Sequence, residues 1–159
     1  MTRVLVTYYS RTGHTKALAE AVIRGVKSVE GMECQVKLVG EVTNDDLVAT
    51  DGLIVGSPTY FGQMAAEVKA LFDPTDAIYG KLQGKVGGAF TTAGQAGGGH
   101  ETALLSLIIA MFVAGMIVEG CTSGPVYGPF AVEQPTAENL QQGFDLGVRV
   151  ARLTKKLYS

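Results

Sequence analysis

Val4-Leu5-Val6-Thr7-Tyr8-Tyr9-Ser10-Arg11-Thr12-Gly13-His14-Thr15 is the stretch whose reading decides the fold. Its first half is apolar and rich in β-branched residues, the composition of a buried strand. Its second half is a compact loop of hydroxyls around one glycine. From Lys16 to Val29 the spacing becomes helical: Leu18, Val22 and Val26 share a face with Ala19 and Ile23, while Lys16, Glu20, Arg24 and Lys27 take the other. Strand, tight loop and helix start make a phosphate site, because unpaired backbone N–H groups and the helix dipole both favour an anion there. Ser10, Thr12 and Thr15 add hydroxyl donors, Gly13 lets the backbone wrap closely, and no acidic residue lies between Val4 and Ala19. Hydroxyls before a helix also serve as plain N-caps, but a single cap does not call for three of them in six residues. The loop has neither the Gly-Lys-Ser/Thr of a nucleotide-binding P-loop nor the Gly-x-Gly-x-x-Gly of a dinucleotide site, and it lacks the Cys and spaced Arg of a phosphatase loop.

The rest of the chain repeats the alternation. Arg3 to Tyr9 reads as a central strand, Cys34 to Val39 as an edge strand, and Thr43 to Ala49 as a short helix with a hydroxyl cap and early acids. Leu53 to Gly56 is a third strand, Gln63 to Phe72 a helix that Asp73-Pro74 breaks, and Lys85 to Thr92 a fourth strand. Glu101 to Ala114 is a helix and Met116 to Glu119 a fifth strand. Gly120 to Pro135 has no period and reads as an ordered surface excursion. The last helix starts at Pro135-Thr136, with Leu140, Phe144, Val148, Ala151 and Leu157 as its inward face. No repeat or linker divides residues 1–159, so one domain is expected. Five strands alternating with helices predict an α/β fold, a right-handed, doubly wound parallel sheet with helices on both faces. Ligands of such sheets sit at the carboxyl ends of strands beside the point where the order reverses.

Three loops fall at those ends. Beside Ser10–Thr15 stand Ser57-Pro58-Thr59-Tyr60-Phe61-Gly62 and the glycine-rich Thr91-Thr92-Ala93-Gly94-Gln95-Ala96-Gly97-Gly98-Gly99. Their joint pattern resembles known flavoproteins. Ser10-x-Thr12-Gly13-x-Thr15 after a first strand is similar to the FMN-phosphate loop of flavodoxins. Tyr8-Tyr9-Ser10 with Gly13-His14 resembles, more specifically, the NAD(P)H:quinone oxidoreductases of the tryptophan-repressor-binding-protein (WrbA) type. Gly56-Ser57-Pro58-Thr59-x-Phe61-Gly62-x-Met64-Ala65-Ala66 resembles their second flavin loop. Phe90-Thr91 to Gly98, with Glu101-Thr102-x-Leu104-Leu105-Ser106, resembles their third, and Gly124-Pro125-x-Tyr127-Gly128 a later glycine turn. The similarity covers nearly the whole chain. It departs at Tyr60, where those enzymes often carry Arg, and at Ala114, where they carry a His. They are also typically longer.

The resemblance implies a flavodoxin-like fold, a five-stranded sheet of order 2-1-3-4-5, holding FMN. Ser10, Arg11, Thr12, Gly13, His14 and Thr15 would take its phosphate, Ser57 to Gly62 the reactive side of the ring, and Thr91 to Gly98 its pyrimidine edge. His14 is either a counter-charge to the phosphate or a solvated helix-start side chain, and Tyr60 either stacks on the ring or covers an apolar edge. The implied activity is two-electron, ping-pong transfer from NAD(P)H to a quinone, with no side chain needed as an obligate acid or base. A non-enzymatic electron carrier docking a redox protein is the rival. The phosphoacceptor receivers of the same topology need an Asp where this chain has Gly56-Ser57-Pro58.

Composition agrees with this class. Apolar residues make up 47% and charged residues 18%, and Gly, at 21 residues, clusters after the strands instead of forming low-complexity tracts. A formal net charge of −2 argues against a nucleic-acid surface, and is less acidic than electron-shuttle flavodoxins usually are. Cys34 and Cys121 are isolated, with no metal-ligand spacing; strands at opposite sheet edges would hold them roughly 19 Å apart, beyond disulfide reach. Reduced thiols and a start without a leader segment suit a cytoplasmic protein. Ala103 to Val118 is nearly all apolar. It is under the ~18 residues of a membrane span, so its second face must be covered by the Gly120–Pro135 excursion or by another copy. The resemblance favours a homodimer or homotetramer.

Overall fold

The computed structural model describes residues 1–159. Its main path is a parallel sheet of β1 (Thr2–Tyr8), β2 (Met32–Leu38), β3 (Gly52–Tyr60), β5 (Val86–Ala93) and β6 (Ile117–Val118), in the order β2-β1-β3-β5-β6. Two further strands lie off this path. β4 (Gln63–Met64) turns back antiparallel on β3, and β7 (Phe130–Val132) pairs with β5. The helices are α1 (His14–Lys27), α2 (Asn44–Ala49), α3 (Ala66–Phe72), α4 (His100–Val113) and α5 (Ala137–Tyr158). This is the expected flavodoxin-like α/β fold, with its fifth position built from two pieces.

Alternation along the strands divides the core. Leu5, Leu53, Val55 and Ala89 point to the side covered by α3 and α4, where Val68, Leu71, Leu104, Leu107 and Met111 meet them. Val4, Val6, Ile54, Val86 and Phe90 point to the side of α1 and α5, against Leu18, Val22, Val26, Leu146 and Val150. β1, β3 and β5 are buried on both faces along most of their length, as expected of the inner strands of a parallel sheet.

Four local readings need correction. Gln63 and Met64 are strand, not the start of a helix: the left-handed pair Phe61 and Gly62 (φ 52° and 72°) reverses the chain into a hairpin, and α3 begins only at Ala66. β3 runs through Tyr60 and β5 through Ala93, so Ser57 to Tyr60 and Thr91 to Ala93 are strand ends and the true loops are shorter. The Gly120–Pro135 excursion contains β7: β6 pairs with Val86 and Gly87 at one end of β5, and β7 with Thr91 to Ala93 at the other. Cys121 therefore lies just beyond β6 and not on a strand, and both cysteines are free thiols.

The fourth correction is the inward face of α5. Buried there are Gly143, Leu146, Gly147, Val150, Ala151 and Thr154, whereas Leu140, Phe144 and Val148 are half-buried and Leu157 is exposed. The cause is the approach of α1. A Cβ on Gly147 would stand 2.2 Å from the carbonyl oxygen of Val22, and one on Gly25 would stand 2.0 Å from that of Phe144. Backbone packs on backbone where the helices cross, and a periodicity weighted by large side chains cannot see a contact made of their absence.

Candidate functional site

The carboxyl ends of β1, β3 and β5 bring the three segments together. The amide of Tyr9 donates to the Gly56 carbonyl at 3.2 Å, joining the ends of β1 and β3. Thr15 and Thr92 share a buried 2.7 Å hydrogen bond between their hydroxyls, which ties the first turn of α1 to the end of β5. A Cβ on Gly99 would stand 2.7 Å from Gly62 Cα, so the tip of the β3–β4 hairpin rests on the last glycine of the third loop. Glycine at position 99, with φ 94°, is thus required by protein contact and backbone conformation together.

The first loop is a donor cradle. Gly13, at φ 96°, is the N-cap of α1 and brings no side-chain cap. Ser10 reaches back instead, its Oγ accepting from the amides of Gly13 at 3.2 Å and Lys16 at 3.1 Å. That leaves the amides of Arg11, Thr12, His14 and Thr15 without a hydrogen bond inside the chain. Thr12 and Arg11 are exposed, His14 is half-buried, and no ion pair holds Arg11. Four unpaired N–H groups at a helix start, with no carboxylate among them, fit a phosphate. Two of the three hydroxyls have structural tasks: Ser10 caps and Thr15 ties. Thr12 is the one left unengaged.

The second segment is braced from below. Ser57 Oγ, fully buried, accepts from the Ala65 amide and donates to the Pro58 carbonyl, both at 2.8 Å. Thr91 Oγ1 donates to the Ser57 carbonyl at 2.7 Å, so in the 2.9 Å contact between Thr59 and Thr91 it is Thr59 that donates. Ser106 Oγ accepts from the Met64 amide at 3.0 Å and fixes the hairpin to α4. Above this frame Phe61 is fully solvated (relative exposure 106%) on its left-handed backbone, and Tyr60 is half-buried beside it. A bulky residue in that conformation carries strain. Here the strain holds an aromatic face beside two amides, Phe61 and Gly62, that have no partner.

In the third loop Gly94, Gln95 and Gly97 are exposed and Gly98 is half-buried. A Cβ on Gly94 or Gly97 would meet nothing within 4 Å, so the space above them is open. Of the amides from Gly94 to Gly99 only that of Gly98 is engaged, donating to the Gln95 carbonyl at 3.2 Å. Thr91, Thr92 and Ala93, like Pro58 and Ser57, are buried and form the floor.

One feature was not legible in the sequence. His100, the first residue of α4, stacks on Phe130 of β7, with ring centroids 3.9 Å apart and an interplanar angle of 16°. Its Nδ1 is buried without a partner beside the open third loop. Only the return of the excursion to the sheet brings Phe130 there, and nothing in the periodicity announces that return. The phenols nearby add no charge: burial and then the Glu67 carboxylate push Tyr9 above its ordinary value, and burial and then Glu20 do so for Tyr8.

Over residues 41–124 the sequence matches the family described as NADPH-dependent FMN reductase. The chain is 33% identical to a protein named NAD(P)H dehydrogenase (quinone) from Gluconacetobacter diazotrophicus, across 99% of each chain. The chain belongs to the NADPH-dependent FMN reductase family. Members of this family are FMN- and nicotinamide-linked oxidoreductases, and the donor set of the first loop fits the single terminal phosphate of FMN. The alignment with the Gluconacetobacter relative runs over 198 positions against a chain of 159 residues, so that relative has segments this one lacks. A protein named flavodoxin from Aquifex aeolicus is 42% identical over 123 residues, spanning 77% of this chain and 66% of its own length. Among solved structures, a flavodoxin, WrbA-like protein from Agrobacterium tumefaciens superposes with a TM-score of 0.83 at 26% identity, covering 98% of this chain and 99% of its own.

Proposed function

We propose that this protein is an FMN-dependent NAD(P)H:quinone oxidoreductase, working with residues 1–159 as one flavin-binding unit. The observation that carries the reading is the cradle of four unpartnered amides facing an open, aromatic-walled cleft. FMN, when bound, supplies the two-electron relay between nicotinamide and quinone. Arg11, Thr12, His14 and Thr15 would hold the phosphate through main-chain donors and the Thr12 hydroxyl, while Gly13, its own amide taken by Ser10 Oγ, supplies the left-handed turn between them. Ser10, Ser57, Thr59, Thr91 and Thr92 keep the loops in register, so the donors are set before a ligand arrives. The amides of Phe61 and Gly62 face the reactive edge of the ring. Tyr60 and Phe61 give it an apolar wall, and Gly94, Gln95, Gly97 and Gly98 line its pyrimidine side. Pro58 and Ala93 close the floor.

Steady-state turnover tests this reading. Purified protein with NADH or NADPH and a benzoquinone is expected to give parallel double-reciprocal lines, the signature of two substrates using one slot in turn. A flavin spectrum with no turnover would favour the second reading, an electron carrier. The Aquifex flavodoxin match supports that alternative, and the modest net charge of −2 weighs against it.

No helix is long and apolar enough to cross a membrane, and a cytoplasmic site of action is part of the proposal, as is assembly into a homodimer or homotetramer. The outer side of α4 supports assembly. Phe112 is exposed there, with a relative exposure of 58%. Cys121 to Pro125 of the excursion instead line a concavity with Arg149 and Arg152 of α5. Sedimentation equilibrium is expected to show a dimer or tetramer, and Phe112→Glu to shift it toward the monomer.

A further inference from the structure

A second concavity opens beside the hairpin tip, and flavin binding does not account for it. Its volume is about 1130 Å³, large enough for a drug-sized ligand (~300–1,000 Å³). It starts at Arg11, Tyr60 and Phe61 and runs down between α4 and the segment that follows α3. The sequence explains why it is there. Asp73-Pro74 ends α3, and the chain continues as a 3₁₀ turn over Asp73–Ile78 that buries none of its residues. That turn stands off from the sheet and leaves a gap walled by Phe72, Ile78 and Leu82. The facing wall is the stripe of α4 that carries Ile109 and Val113, spaced i,i+4, with relative exposures of 59% and 71%. Phe112 is not part of it.

Charge is confined to the rim and divides it along its length. Lys69 and Asp73 pair with each other, and Asp76 adds a further carboxylate. The cation without an ion pair, Arg11, lies at the flavin end. An anionic amphiphile would therefore meet acid along the shaft, whereas an uncharged apolar chain would not. The groove is also continuous with the flavin site, since Tyr60 and Phe61 belong to both. A molecule with a flat, polar head ring at the hairpin and an apolar chain trailing from it matches the two regions at once.

We propose that this groove seats the alkyl or polyprenyl tail of a lipid quinone whose head ring reacts at the flavin. The proposal rests on the quinone reading above. It names the acceptor as a tailed quinone and makes Ile109 and Val113 determinants of that preference. Each methylene that leaves water there adds roughly fourfold in affinity, so a short stretch of tail dominates selection.

The experiment compares a decyl-substituted benzoquinone with the same ring lacking the tail, on the FMN-loaded protein. Calorimetry gives Kd on the oxidised protein and steady-state turnover gives kcat/KM. The tailed quinone is expected to bind at least about tenfold more tightly and to be reduced with correspondingly higher kcat/KM. Ile109→Glu with Val113→Glu, both at exposed positions of α4, should erase that preference and leave the tail-less quinone unchanged. Equal constants for the two quinones overturn the proposal, as does a double variant that keeps the preference. Sedimentation of the same samples gives a further arm: loss of preference together with a drop in assembly mass would assign the groove to a second copy, and so overturn it. If neither quinone is reduced, the quinone reading fails, and calorimetry alone decides the groove. Binding of the tailed compound but not the tail-less one sustains it, and binding of neither overturns it.

Discussion

Thr12→Glu is expected to strip FMN from a protein that stays folded. Thr12 is exposed and its side chain makes no hydrogen bond, so nothing in the apoprotein depends on it. Its amide is one of four in the first loop with no partner in the chain, which sets its side chain at the mouth of the cradle. A carboxylate there faces the phosphate. Two unit charges at ~4 Å repel by about 4 kcal/mol at an effective dielectric near 20. Solvent at this exposed loop reduces that figure, yet half of it still weakens binding by about 30-fold, and the second phosphate charge adds to it. A loss of about 100-fold or more is the expected result. Thr12→Val separates charge from hydroxyl: it removes one hydrogen bond and should cost only about fivefold. The measurements are flavin absorbance after exhaustive dialysis and calorimetric FMN binding to the apoprotein, with circular dichroism to confirm the fold. Equal FMN retention by the Glu variant would remove the phosphate from this loop.

Much of this site was legible before the structure because its features are written locally. A β-branched run, hydroxyls and one glycine stand in twelve consecutive residues, Val4 to Thr15, and a helical period follows directly from Lys16, so the anion cradle follows from backbone geometry at a helix start. The doubly wound parallel sheet followed from alternation and handedness, and its strand order from the resemblance to flavodoxins. Long-range features were not legible. Ser57 and Thr91 looked like ligand contacts, but both are fully buried and brace the segments, a role that needs the β3–β5 register to be seen. Likewise, the Thr15–Thr92 bond joins residues 77 positions apart. The Gly62–Gly99 contact and the His100–Phe130 stack depend on a hairpin and a split edge strand, neither of which has a period long enough to detect. The apolar groove escaped for the same reason: the surplus apolar stripe of α4 was visible, but the 3₁₀ segment that turns it into a groove was not.

The other large effect lies far from the site. Gly147→Ala is expected to destabilise the fold by about 2 kcal/mol or more, against every local rule. Helix propensity favours Ala over Gly inside a helix by about 1 kcal/mol, and Ala also lowers the entropy of the unfolded chain. Position 147 lies mid-helix in α5, so both terms predict stabilisation. The collision outweighs them. The new Cβ would stand 2.2 Å from the Val22 carbonyl oxygen and 2.8 Å from the Val26 amide nitrogen. These are backbone atoms of a hydrogen-bonded helix and have no rotamer to escape into. Relief requires α1 and α5 to part, and that loosens the layer of Leu18, Val22, Val26, Leu146 and Val150 beneath them. Urea unfolding should show the midpoint falling by about 1 M with the slope unchanged. Gly40→Ala is the control, since a Cβ there meets nothing within 4 Å, and it should move the midpoint little. FMN affinity should also hold, because Gly25, where the helices touch, lies about 16 Å along α1 from His14, and the Thr15–Thr92 bond anchors the near end. A neutral or stabilised Gly147→Ala would mean that the two helices slide freely and that this glycine contact has no part in setting their spacing.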